Sequence, residues 1–337
     1  MQVSDMRKFI NDPNDFVDEM LEGVLAAHPD RLRIAGDARA IVRADAPIKG
    51  KVGIATGGGS GHLPVFMGYV GRGLADGVAV GNVFSSPNAD QMLAVTRAID
   101  GGRGVLYLYG SYGGDILNFG LAADLADAEG IRVRTVLGAD DVASAPKGQE
   151  GRRRGIAGIF FLYKVAGAAS DEGADLDAVC EVTERAGSVL RTMGVAIAPC
   201  TVPAVGHPTF DLPNGQMEIG MGIHGEPGVR RGPLEPVDDI VRSIMGALLD
   251  DLPYERGDKV DVLVNGLGAT PVEELYIAYR AALRALAEAG LTVRRPWIGE
   301  YATSLEMAGL SVSLLRMDAV LARLMDAPAS SPFVSIR

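Results

Sequence analysis

Apolar positions along the chain alternate between two rhythms. Between residues 15 and 28, Phe16, Met20, Leu21, Val24 and Leu25 share one helical face, behind the cap candidates Asn14 and Asp15. Short β-branched runs then interleave with longer helical patterns. Val52–Thr56 runs into a glycine-rich turn, and Val105–Tyr109 ends at Gly110 before a helical stretch reaching about Gly130. Val133–Leu137 follows, and a long helical region over roughly 156–193 then interrupts the alternation. Beyond it, Val195–Ala198, Met217–Ile223 and Val260–Asn265 have strand character, with a helix near 237–250 between the last two. Val272–Ala289 is a helix that exits at Gly290 into the strand-like Leu291–Ile298, and Asp318–Met325 is a final helix.

Strands alternating with helices predict an α/β fold. The length of 337 residues exceeds the roughly 250–300 at which a single core stops growing. The expected architecture is two α/β domains, residues 1–190 and 191–337, each a mixed sheet flanked by helices, with the substrate site at their interface. In open α/β sheets ligands sit beyond the carboxyl ends of strands, and three polar residues fall there: His62, Asp115 and His224.

Composition narrows the function classes. A formal charge of −11 argues against a nucleic-acid binder, which needs a basic face. Cys180 and Cys200 are too few for a disulfide framework and are not spaced as metal ligands, so they are expected to be buried small hydrophobes. Met1-Gln2-Val3-Ser4-Asp5 offers no basic start to a leader, and no apolar stretch is long and uncharged enough to span a bilayer. A cytoplasmic protein without membrane contact is the expectation.

Candidate chemistry concentrates at two glycine-framed histidines. His62 closes Gly57-Gly58-Gly59-Ser60-Gly61-His62, and His224 lies within Gly222-Ile223-His224-Gly225-Glu226-Pro227-Gly228. Such framing leaves little bulk around an imidazole, so a small ligand can reach the ring and the backbone N–H groups. The first segment lacks the lysine of a phosphate loop and the spacing of a dinucleotide fingerprint. Asp115 follows Gly113-Gly114 ahead of a helix, where it is either a helix N-cap or a carboxylate aimed at a cleft. Glu226 either holds His224 in place or is a solvated turn residue, while His28 and His207 are expected to serve structure. No His-x-x-x-His or Cys-x-x-Cys pair offers a metal site, and no Gly-x-Ser-x-Gly elbow offers a hydrolase serine. Gly266-Leu267-Gly268-Ala269-Thr270 is read first as a tight strand end and second as an anion loop.

Taken together, these segments resemble the ketose-binding K subunit of the dihydroxyacetone kinase family. The resemblance runs in one order along nearly the whole chain. It includes Lys8–Pro13, Ala44–Pro47, Gly57–His62, Gly114–Phe119, Cys200–Ala204, Gly222–Gly228, Leu267–Pro271 and Thr303–Met307. It implies a two-domain α/β subunit that captures a short ketose covalently, as a hemiaminal on a histidine nitrogen. By position, His224 matches the nucleophile, His62 and Asp115 match the residues that hold and deprotonate the substrate, and Gly59, Ser60 and Gly61 match the binding loop. The resemblance further implies a homodimer with no cofactor of its own. ATP or ADP with magnesium would sit on a helical L-type partner, and the phosphoryl donor would be ATP or a phosphotransferase-system protein. A non-catalytic ketose sensor of the same fold is the alternative, and a module whose polar residues are purely structural is a further rival.

Four positions depart from the family pattern. Leu63 stands where Glu is usual, Gly110 where Lys is frequent, and Ser111 and Gly113 where Asn and Thr occur. The expectation is a roomier, less charged pocket beside Gly110 and Asp115 that admits a four-carbon ketose such as erythrulose.

Overall fold

The computed structural model describes residues 8–337, so the Met1–Asp5 segment lies outside the described residues. Helix α1 (Phe16–Ala27) buries Val17 and Leu21 and leads into the antiparallel pair β1 (Leu32–Ala35) and β2 (Asp37–Arg43). Strand β3 (Gly53–Ser60), strand β4 (Gly77–Val83), helix α2 (Ala89–Ile99), strand β5 (Val105–Gly110), helix α3 (Gly113–Ala128) and strand β6 (Val133–Gly138) follow. They form one mixed sheet in the order β1-β2-β4-β3-β5-β6, in which β4, β3, β5 and β6 are parallel.

The region read as one long helix is two. Helix α4 (Ile159–Asp171) ends, and helix α5 (Leu176–Ser188) restarts where the Asp175 side chain accepts the Ala178 N–H as N-cap. The chain then enters β7 (Leu190–Ala198), which begins five residues earlier than its β-branched run suggests because Leu190 to Met193 are buried too. The second sheet adds β8 (Gln216–Ile219), β9 (Arg230–Pro233), β10 (Lys259–Gly266), β11 (Thr292–Gly299) and β12 (Ala308–Met317) in the order β11-β10-β12-β7-β8-β9. Only its β10–β11 pair is parallel. Helix α6 (Val237–Asp251) and helix α7 (Val272–Ala289) cover it, and α7 exits through left-handed Gly290 (φ 75°). Two mixed sheets flanked by helices are thus observed, as the alternation implied.

Helix α4 is buried on every side from Ile159 to Ser170, so it has no polar face to offer water. Its rings join the two halves: Phe160 meets Trp297 (5.1 Å) and Tyr301 (4.7 Å) across from the first sheet. The last helix, α8 (Ala319–Asp326), packs back on α4, and the buried Lys164 ammonium donates to the Leu324 carbonyl at 2.6 Å. The C-terminal segment therefore shares the core that contains the first sheet.

Candidate functional site

The glycine-rich segment is not a turn. Gly57 to Ser60 continue β3 to its carboxyl end, because three large groups press against the strand where side chains would be. A Cβ at Gly57 would lie 2.6 Å from the Phe119 ring, and one at Gly58 would lie 2.4 Å from the Phe66 ring. At Gly59 it would meet the Ser85 backbone nitrogen at 2.6 Å. The glycines are the price of close packing. Gly61 (φ 100°) then turns the chain and delivers His62 into the interior, where it is 1% exposed.

His62 is fixed on every side. Its Nδ1–H donates to the Thr303 carbonyl (2.8 Å), so Nε2 carries the lone pair. Phe84 stacks on the ring at a centroid distance of 4.8 Å, and Phe66 meets it edge-on at 6.1 Å. Leu305 N–H donates to the Gly61 carbonyl at 2.7 Å. Phe66 (φ 67°), Phe84 (φ 57°) and Leu305 (φ 51°) are the described non-glycine residues in positive φ, and all three sit around this one imidazole. Left-handed backbone costs about 1–3 kcal/mol per residue, and it persists here because the packing around His62 leaves no other fit. Burial, followed by the neighbouring His224, pushes the His62 ring down to about 3, so it is neutral at physiological pH.

The second histidine comes from the other sheet. Strand β8 stops at Ile219, short of the expected Ile223, and Gly220 (φ 83°) swings the following loop toward β3. His224 Nε2 reaches His62 Nε2 at 3.0 Å. Tyr112 meets the His224 ring edge-on at 4.8 Å, and the Tyr112 hydroxyl donates to the Gly155 carbonyl (3.0 Å). Glu226 binds His224 twice: Oε1 accepts from ring Nδ1 and Oε2 from the backbone N–H, each at 2.9 Å. Glu226 therefore holds His224, resolving the choice left open by the sequence.

Asp115 occupies the first turn of α3, while Tyr112 takes the N-cap position and no side chain caps the helix. The N-cap role thus does not explain Asp115. Its Oδ1 is buried without a hydrogen-bond partner, a condition shared among the described residues only with the Tyr254 hydroxyl. Burial raises the Asp115 carboxyl to about 6, against the opposing pull of the Ser86 hydroxyl and of charge on His224. A buried carboxyl with one unpartnered oxygen is a candidate functional group.

A cavity of about 370 Å³ lies between Asp115 and His224, walled by Phe66, Phe84, Tyr112 and Ser86, with Gly59, Gly113 and Gly114 leaving it open. Of the residues singled out beforehand, Gly59, Asp115 and His224 line it. His62 stands behind His224 and lines, with Ser60 and Gly61, a much smaller void of about 20 Å³. The Ser60 hydroxyl is spent on the Gly81 carbonyl (2.8 Å). Gly110 does not line the cavity: a Cβ there would press on the Tyr112 ring at 2.9 Å. Leu63 packs against the first core. The aromatic walls, Thr303 and Ser86 escaped the sequence reading, because no local pattern marks a residue whose neighbours lie dozens of positions away. Thr303 alone had a signal, standing in the Thr303–Met307 segment. The 266–270 segment is a tight strand end, since a Cβ at Gly268 would overlap the Leu305 carbonyl at 1.8 Å. Among the described residues, no three His, Cys, Asp or Glu side chains gather as a metal site, and no helix is long and apolar enough to cross a membrane.

Comparison with known proteins finds the family that the sequence resembles. The Dak1 domain matches residues 22–333. The chain is 43% identical to the dihydroxyacetone-binding subunit DhaK of PTS-dependent dihydroxyacetone kinase 2 from Listeria innocua, over 98% of this chain and all of that one. It is 44% identical to the L-erythrulose kinase of Pectobacterium atrosepticum, covering 97% of this chain but 56% of that longer protein. The crystal structure of the dihydroxyacetone kinase from C. freundii in complex with AMP-PNP and Mg2+ superposes with a TM-score of 0.87 at 30% identity, over 98% of this chain and 61% of that one.

Proposed function

The chain belongs to the Dak1 domain family, and from that membership and its paired histidines we propose that it is the ketose-binding subunit of a dihydroxyacetone-type kinase. The observation that carries the reading is the 3.0 Å contact between two Nε2 atoms whose Nδ1 partners are both acceptors. Each Nδ1 donates, so this contact requires one proton shared between the two Nε2 atoms. The pair holds a proton ready for transfer beside a cavity.

The chemistry follows from that proton. As the His224 Nε2 lone pair forms a bond to the ketose carbonyl carbon, the π electrons move onto the carbonyl oxygen. The shared proton, which His62 Nε2 takes from His224 Nε2 as that lone pair is freed, passes on to the oxygen, and a hemiaminal results. The ketose is then tethered with its terminal hydroxyl toward Asp115, whose free Oδ1 accepts the hydroxyl proton as the oxygen attacks a phosphoryl group. Glycerol lacks a carbonyl and forms no such tether.

The residues lining the cavity include no Lys or Arg to hold phosphates. The nucleotide and magnesium therefore belong on a partner of the L type, fed by ATP or by a phosphotransferase-system donor. The relative solved with AMP-PNP and Mg2+ is the longer protein, which supports this division. Helix α3 exposes Ile116, Leu117 and Leu121 directly after Asp115, an apolar surface where such a partner would sit. The two-domain division at residue 190, a homodimer and a cytoplasmic setting complete the proposal.

We assign a four-carbon ketose such as erythrulose to the cavity, because Gly113 borders it with no atom within 4 Å of a would-be Cβ. Carbon NMR of carbonyl-labelled dihydroxyacetone and erythrulose tests both parts. Conversion of the carbonyl signal to a tetrahedral carbon in wild type, and none in His224→Ala, is expected, with the larger fraction for erythrulose. An unchanged carbonyl in wild type for both ketoses rejects the assignment.

A further inference from the structure

Glu226 does more at this site than fill a turn. A single carboxylate holds one residue at two points, the ring Nδ1–H and the backbone N–H of His224, each at 2.9 Å. Gly222 makes room for it: a Cβ there would lie 2.2 Å from Glu226 Oε2 and 2.6 Å from Arg154 Nη1. Arg154 stands behind the carboxylate, with Nη1 3.8 Å from Oε2. The guanidinium is itself anchored by the buried Asp141, which accepts from Arg154 Nε at 3.0 Å and Nη2 at 2.7 Å. Gly222, His224 and Glu226 thus form one unit, backed from the first half of the chain by an Asp141–Arg154 pair.

We infer that Glu226 is a positioning residue that fixes the reactive tautomer of His224 and neutralises the charge its ring acquires in the covalent adduct. The inference rests on the ketose-kinase reading for its second half only. When Nε2 bonds to the ketose carbon while Nδ1 keeps its proton, the ring becomes an alkylated imidazolium carrying one positive charge. The carbonyl oxygen leaves the step as a neutral hydroxyl, having taken the shared proton. The positive charge therefore stays on the His224 ring, and the group facing it is the Glu226 carboxylate. Burial works against that carboxylate, but the His224 bond, His224 charge and Arg154 together hold it down to about 2, so it remains ionised at any pH where the protein works. Arg154 keeps the carboxylate from turning away, a second layer of the kind that orients catalytic imidazoles.

Glu226→Gln in the full chain tests the inference with two readouts. Nitrogen NMR of histidine-labelled, ligand-free protein reports which His224 nitrogen bears the proton, with His224→Ala supplying the assignment. Carbon NMR with labelled dihydroxyacetone and erythrulose reports the adduct. In a folded Glu226→Gln protein, the fixed Nδ1–H signature is lost and the adduct fraction falls at least tenfold. Glu226→Asp, with the charge kept on a shorter arm, recovers part of the adduct. A folded Glu226→Gln protein with wild-type tautomer and an adduct fraction within twofold of wild type overturns the inference. If the Gln variant does not fold, Glu226→Ala decides by the same nitrogen readout: a shifted tautomer supports the clamp and an unshifted one overturns it. A wild type that forms no adduct rejects the ketose reading, whereas the ligand-free spectra still decide the clamp.

Discussion

At the scale of single residues, the site is assembled from groups held in states they would not choose alone. Asp115 is the clearest case. Its carboxyl titrates near 6 in the folded protein, against an ordinary 3.8. A raised carboxyl means the folded state binds the proton more tightly than the unfolded chain does. Stability is therefore lost as pH rises through the window from about 4 to about 6, and it stays lost at neutral pH. Asp115→Asn removes that loss: urea unfolding at pH 7 should show a gain of up to about 3 kcal/mol, shrinking toward zero near pH 4. The same variant should lose phosphoryl transfer with an L-type partner while still forming the adduct. Turnover in wild type should rise with pH through about 6, as the base is freed. The left-handed Phe66, Phe84 and Leu305 follow the same logic, each a local cost that positions His62.

At the scale of elements, position along a strand or helix decides what a residue can do. Strand β3 carries glycines so that Phe119, Phe66 and the Ser85 backbone can close on it, and its carboxyl end then hands His62 to the cleft. The first turn of α3 places Gly113, Gly114 and Asp115 along one wall of the cavity. Gly113→Thr puts a branched side chain into open space there, without meeting any atom within 4 Å of its Cβ. Helix stability should fall little, since Gly is already the poorer helix former. The expected result is a drop of tenfold or more in kcat/KM for erythrulose with a much smaller change for dihydroxyacetone. Equal losses on both ketoses would show that the cavity beside α3 does not set substrate length.

At the scale of the whole molecule, two sheets are locked together so that loops from each can meet. Arg153, 1% exposed at its side chain, donates to Asp251 at 2.9 and 2.6 Å, and Arg191 donates to the same carboxylate. One carboxylate at the end of α6 thus ties the loop before α4 to β7 at the start of the second sheet. Burial alone would raise the Asp251 carboxyl, but the two arginines hold it below its ordinary value, so its stabilisation is present at neutral pH and is lost as pH falls into the acid range. Asp251→Ala leaves two cations facing each other and should cost about 3–5 kcal/mol, read as a lower Tm. If the site depends on this lock, His62–His224 coupling and adduct formation should weaken in the same variant. By itself the sequence determined the α/β class, most helices with apolar periodicity, and three polar residues that the structure brings near one another. These follow from spacing along the chain, and Val272–Ala289 was legible to its last residue. Strands β2, β4 and β12 were not legible, because they pair with strands contributed by distant segments. Only the tertiary structure decided that the glycine run is a strand, that Gly110 lies under Tyr112, and that Glu226 clamps His224. Periodicity reports how a segment meets its own neighbours in sequence, whereas a 3.0 Å contact between residues 62 and 224 exists only after both sheets have packed.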